Sequence, residues 1–213
     1  MKQSTEDIFS KYRKRHGFVK MLEPEIRQAV TLMETSFRNG GKLLICGNGG
    51  SNADADHIVG ELMKPFRIRR PLEQEIKTAL SNACGASPLT EKLEGGLPAI
   101  NLGAHTSLVT ALINDIGSEY IFAQQVIGYG RLGDVLLGIS TSGNSSNILY
   151  AGEVAKAKGI QTIGLTGCAG EKMQNSFDLI LRAGADAAED IQDMHSTIYH
   201  IMCAALETQF WGS

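Results

Sequence analysis

Several absences narrow what this 213-residue chain can be. Its four cysteines, Cys46, Cys84, Cys168 and Cys203, are widely scattered and form no CxxC pair. That spacing argues against a disulfide framework and predicts free, mostly buried thiols in a reducing compartment. No stretch approaches the roughly 20 apolar residues of a membrane span, and the opening MKQSTEDIFSKYRKRHGF has no apolar signal-peptide core. A cytoplasmic protein without a membrane partner is the expectation. Positive charge is not in excess: 20 Lys and Arg against 23 Asp and Glu leave a net charge of −3. A protein that coats nucleic acid is therefore excluded, because its footprint would be basic. A small anionic substrate is not, since backbone N–H groups and hydroxyls can hold one. GxxxxGK[ST] does not occur, and neither of the loops GNGGS and STSGNSSN is a GxGxxG, which sets dinucleotides and nucleoside triphosphates aside. There is no low-complexity segment and no short-period repeat.

What is abundant is glycine, 24 of 213 residues, about 11% against a usual ~7%. The glycines cluster at the ends of apolar runs. Residues 4–15 read as a polar helix. Residues 19–38 place Val19, Leu22, Ile26, Val30, Met33 and Phe37 at spacings of three and four, an amphipathic helix that Asn39-Gly40-Gly41 ends. Residues 43–46 form a short apolar strand, followed by GNGGS and a helix over 52–63 that Pro65 stops. The phrase returns with strands at 97–102, 135–139, 160–165 and 177–181. Helices are predicted over 106–115, 119–129, 146–158 and 188–210, with a short one before the fifth strand. Such alternation predicts an α/β fold, a doubly wound five-stranded parallel sheet flanked by helices. The stretch at about 67–96 carries mixed charge and no strong period. It reads as an exposed loop with a short helix, or alternatively as a lid or a subunit contact.

In parallel sheets, ligands sit at the carboxyl ends of strands. Two polar loops occur there, Gly47-Asn48-Gly49-Gly50-Ser51 and Ser140-Thr141-Ser142-Gly143-Asn144-Ser145-Ser146-Asn147. Each follows a strand and opens a helix, where unpaired N–H groups and the positive end of the dipole favour a phosphate. Helix caps and turns explain GNGGS equally well. In the second loop, five hydroxyl side chains in eight positions exceed what one cap requires. A monophosphate ester is the ligand that fits best.

His57 and Glu61 lie four apart, about 40° around a helix, and Gln192 and His200 lie eight apart, about 80°. Two imidazoles, a carboxylate and an amide oxygen could hold Zn²⁺. The same spacing also suits an ordinary pair on a helix face. His195 lies about 140° from His200 on that helix, so the two cannot point at one centre. His16 and His105 have no partner pattern and read as structural or solvated.

With these residues assembled, the chain resembles the sugar isomerase (SIS) domain family, and within it the phosphoheptose isomerases. The resemblance is carried by LLICGNGGSNADADHIVGEL (43–62), NDIGSEYIFAQQV (114–126), GRLGDVLLGISTSGNSSNI (130–148) and IQDMHSTIYHI (191–201). STSGNS marks the wider family. CGNGGS with the downstream His–Glu pair and Q-x-x-H-x-x-x-x-H is narrower. The resemblance implies a SIS-type, flavodoxin-like three-layer sandwich over 1–213. It would begin with helices over about 1–39 and carry an insertion at about 67–96. It implies conversion of sedoheptulose 7-phosphate to D-glycero-D-manno-heptose 7-phosphate through an enediol, by a zinc-binding homotetramer. Its first helices would form the subunit interface, and neighbouring subunits would share active sites. Carried over by position, the zinc ligands are His57, Glu61, Gln192 and His200, and the acid–base pair is Glu61 and His200. Ser140, Thr141, Ser142 and Ser145 would take the phosphate. Asn48, Gly49, Gly50, Ser51, Glu61, Asn114, Asp115 and Gln192 would line the sugar. Glu189 stands where the family tends to have Asp. The alternatives are a non-catalytic sugar-phosphate-binding or partner-binding regulator on the same fold, and an isomerase of another phosphosugar.

Overall fold

The computed structural model describes residues 2–85 and 87–212. Five strands form one parallel sheet: β1 (Leu43–Gly47), β2 (Ala99–Asn101), β3 (Val135–Ser140), β4 (Gln161–Thr166) and β5 (Leu179–Arg182). Their order is β2-β1-β3-β4-β5, and every pairing is parallel. The predicted doubly wound sheet is the observed one. Its strand order reverses between β1 and β3, the switch point where such sheets leave a crevice for ligands.

The period of two in the strands decides which helices lie where. Leu43 and Ile45 of β1, with Leu137, Ile139 and Leu165, join one apolar core. That core is closed by α1 (Gln3–Arg15), α2 (Val19–Arg38), α3 (Gly50–Met63) and α10 (Ala188–Trp211). Leu44, Cys46 and Leu136 face the opposite core, closed by α7 (Ile121–Tyr129), α8 (Ser146–Ala157) and α9 (Met173–Ser176). The result is three layers. Gly138 of β3 and Gly152 of α8 admit the ring of Phe177, which would collide with a Cβ at either position. The sheet and α8 can therefore approach closely there.

The stripe Val19, Ile26, Val30 and Met33 is buried inside the chain, where α2 packs on α10 and β5. It covers the chain's own core and is not left free for another subunit. The stretch at 67–96 departs further from expectation. It holds an 11-residue helix, α4 (Gln74–Cys84), and a short α5 (Leu89–Lys92), and neither contains a buried residue. The remaining helix, α6 (Thr106–Asp115), also has no buried residue, and a 3-10 turn over Ser118–Tyr120 links it to α7. The thiols divide evenly: Cys46 and Cys203 are buried, whereas Cys84 and Cys168 are exposed, so "mostly buried" fails for half of them. Among the described residues, no helix is long and apolar enough to cross a membrane.

Candidate active site

The sequence-predicted residues fall into two groups, one at each end of α3. The first group surrounds the switch point. Gly49 turns the chain after β1 with φ +54°, and Gly143 turns it after β3 with φ +62°, both in the left-handed region that glycine tolerates. The loops are tied together by a reciprocal amide pair. Asn48 Nδ2 donates to Asn147 Oδ1 at 2.9 Å, and Asn147 Nδ2 donates to Asn48 Oδ1 at 3.0 Å. In the second loop the Ser140 hydroxyl lies 3.1 Å from that of Ser145 and 3.5 Å from that of Ser142. The Gly143 N–H donates to Ser140 Oγ at 3.1 Å. Three hydroxyls are thus gathered at the opening of α8, the arrangement a phosphate's oxygens can use. Thr141 contributes differently, its carbonyl accepting from the Gly167 N–H at 3.0 Å. A cavity of about 410 Å³ borders this loop, walled by Ser118, Glu119, Ser145, Ser146, Asn147 and Tyr150. Asn114 and Asp115 are not among its walls; they are exposed at the end of α6, bonded to each other at 2.8 Å.

Gln192 belongs to this first group. Its amide lies over the Cα of Gly50, where any Cβ would collide with it. Ser51 is buried on the first turn of α3. Glu189 and Asp190 are exposed.

The second group lies further along α3 and α10, which run side by side in the same direction. Glu61 Oε1 is 3.2 Å from His57 Nε2 and 3.3 Å from His200 Nε2. One ligand atom from each of the three lies within 4.8 Å of the others. His57 is oriented by Tyr199, whose hydroxyl is 3.2 Å from Nδ1 and donates to Asp54 Oδ1 at 3.3 Å. An imidazole held at one nitrogen presents the other, as metal-binding histidines do. Phe66 stacks on His200, with centroids 5.9 Å apart and planes at 22°. Glu61 is only 4% exposed, and its Oε2 is buried without a well-formed hydrogen bond; its neighbour is the weakly donating thiol of Cys203. Burial pushes the Glu61 carboxyl up to about 7. Burial, then the nearby charges of His57 and Arg15, lower His200.

Gln192 does not join this cluster in the same chain. It stands eight residues before His200, about 12 Å along the helix axis. Of the other histidines, His195 is fully buried elsewhere on α10, His105 caps α6 by accepting from the Leu108 N–H at 3.3 Å, and His16 lines the same cavity as His200.

Two imidazole nitrogens and a carboxylate oxygen converging beside an orphaned buried oxygen fit a zinc ion in both donor type and spacing. Asp54, Tyr199, Phe66 and Cys203 were not anticipated. Asp54 and His57 stand one helical turn apart and Tyr199 adjoins His200, but nothing local says that the two helices are neighbours.

A parallel sheet of order β2-β1-β3-β4-β5, with hydroxyl-bearing glycine loops at its switch point, defines a protein of the SIS class. The chain matches the SIS domain family over residues 10–101 and 95–167. It is 39% identical over 184 residues to a phosphoheptose isomerase of Rhodospirillum rubrum, covering 86% of this chain and 85% of that protein. It is 40% identical over 182 residues to one of Aneurinibacillus thermoaerophilus, covering 85% of this chain and 80% of that protein. The solved phosphoheptose isomerase of Francisella tularensis superposes with a TM-score of 0.74 at 33% identity, over 97% of this chain and all of that one. The chain belongs to the phosphoheptose isomerase family, and its class is isomerase.

Proposed function

We propose that the protein is an aldose–ketose isomerase that interconverts sedoheptulose 7-phosphate and D-glycero-D-manno-heptose 7-phosphate through an enediol. The observation that carries this reading is the convergence of Glu61 with His57 and His200 around one point, with the Glu61 carboxyl nearly buried. Isomerisation needs a proton removed from C1 and returned at C2, while the O1 hydroxyl proton passes to O2. A carboxyl raised to about 7 by desolvation can take or give a proton near neutrality. His200, kept neutral by its surroundings, has one nitrogen to accept and one to donate. Glu61 and His200 therefore serve as the acid–base pair. The hydroxyls of Ser140, Ser142 and Ser145 and the N–H groups opening α8 hold the phosphate, with Thr141 shaping the loop. Asn48, Gly49, Gly50, Ser51 and Gln192 line the sugar.

His57, Glu61 and His200 would hold Zn²⁺, which when bound supplies Lewis acidity toward the substrate's oxygens. A carboxylate shared with a cation would be a weaker base than a free one, so the acid–base role of Glu61 would call for a loosely held ion. The same reading makes 1–213 one SIS domain with an insertion at 67–96, acting as a cytoplasmic homotetramer.

The two groups of residues also bear on how a site is assembled. Glu61 stands eleven positions after Gly50, about 16 Å of helix. The substrate spans about 10 Å from C1 to its phosphate. One chain's loops thus pair most economically with a neighbour's acid–base cluster.

Substituting Glu61→Gln and His200→Gln and assaying isomerisation of sedoheptulose 7-phosphate tests the assignment. Each loss is expected to lower kcat by about 10²–10⁴-fold. Near-wild-type kcat in either variant removes that residue from the pair.

A further inference from the structure

We propose that Arg70 and Glu207 are positioning residues for Glu61, a buried ion pair that fixes the end of α3 and the ring stacked on His200. The inference rests on the role given to Glu61 above. Both side chains are 0% exposed, and Arg70 Nε donates to Glu207 Oε1 at 2.8 Å. Residue 65 is proline and has no N–H, so the Glu61 carbonyl cannot find its partner one turn on. The guanidinium supplies it: Nη2 donates to the Glu61 carbonyl at 2.7 Å and Nη1 to the Leu62 carbonyl at 2.6 Å. The backbone of the residue that carries the reacting carboxylate is thereby held by a planar fork with no rotational slack.

Glu207 holds the other half. Its carboxylate accepts from the N–H groups of Phe66, Arg67 and Ile68 at 2.8, 2.9 and 3.3 Å. That wraps the turn after α3 around α10 and sets Phe66 against His200. Trp211 covers the pair, its ring 4.9 Å from the guanidinium carbon. One ion pair therefore fixes Glu61 through its backbone and His200 through Phe66. A buried ion pair is a poor device for stability alone, because desolvation offsets most of its attraction. Its directional bonds to named backbone groups are what apolar side chains of the same size could not provide.

The test compares the full-length wild type with Arg70→Lys and Glu207→Gln. Lysine retains the charge but cannot serve both carbonyls and Glu207 with a planar fork. Glutamine retains an acceptor for the turn but loses the charge. In both, kcat on sedoheptulose 7-phosphate is expected to fall about 10–100-fold and Zn²⁺ affinity about 10-fold or more. KM should stay within about threefold, since the phosphate loops at the other end of α3 are untouched. Folded variants with kcat and Zn²⁺ affinity within about twofold of wild type overturn the proposal. Failure of both to fold also overturns it, because the pair then serves folding. A wild-type chain that does not turn over the sugar phosphate sinks the proposed reaction and leaves this inference to the Zn²⁺ measurement. An active wild type with undisturbed variants sinks the inference alone.

Discussion

His195 shows how much a single buried group can weigh. It is fully enclosed on α10, neither ring nitrogen makes a well-formed hydrogen bond, and the backbone of Thr166 is the polar group beside it. Desolvation lowers its pKa to about 4, from an ordinary 6.5. In that window the unfolded chain binds the proton and the folded chain refuses it. Stability is therefore complete above about pH 6.5, falls as pH drops, and stops falling near pH 4. Between pH 7 and pH 5 the loss is about 2 kcal/mol. Urea titrations at the two pH values check this, with His195→Gln as the control in which that part of the slope disappears. An equal slope in both chains would refute the assignment. The sequence shows that His195 and His200 point different ways, since 500° of helix is arithmetic. It cannot show that one would be sealed and the other left 30% exposed, because burial depends on elements far along the chain.

At the scale of elements, the apolar periods at 19–38 and 188–210 lie within a residue or so of α2 and α10. The second strand was harder to bound: its apolar run covers 97–102 but only Ala99–Asn101 pairs. Propensity cannot tell where a ladder stops. The 67–96 stretch was least legible, since α4 packs against little and leaves no core signature. Its base is stitched instead. Pro71 bridges Glu94, the Arg70 N–H donates to Glu94 Oε2 at 2.6 Å, and the Gly95 N–H donates to the Arg70 carbonyl at 2.7 Å. An excursion whose ends already meet can be shortened cheaply. Replacing residues 73–92 by two glycines should shift the thermal midpoint by less than about 4 °C, the effect of roughly 1 kcal/mol in a chain of this length. Calorimetry of the shortened protein decides this, and a larger fall would mean that the arm shares the core's stability. Light scattering on the same sample reports whether the arm is the subunit contact left open by the sequence: a change of mass on excision makes it one.

For the whole molecule, the separation of hydroxyl loops from the Glu61 cluster is the feature that single-chain reasoning could not reach. Helical angles place His57 beside Glu61, and the structure adds His200. Angles say nothing about the rise that carries Gln192 to the Gly50 end. The chain also leaves apolar side chains outside. Ile113 and Ile116 stand 46% and 45% exposed around the end of α6, and Leu132 stands 82% exposed. A second copy covering such surface and pairing loop with cluster makes a definite prediction. A chain bearing Ser142→Ala and Ser145→Ala keeps an intact acid–base cluster, and a chain bearing Glu61→Gln keeps an intact loop. Expressed alone, each should be nearly inactive at low substrate. Co-expressed, random assembly gives about one site in four both intact halves, so about a quarter of wild-type activity should return. Sites built within one chain would give no recovery at all, since every chain in the mixture carries a defect. The ratio of mixed to separate activity thus reads out whether the boundary between subunits runs through the reacting sugar.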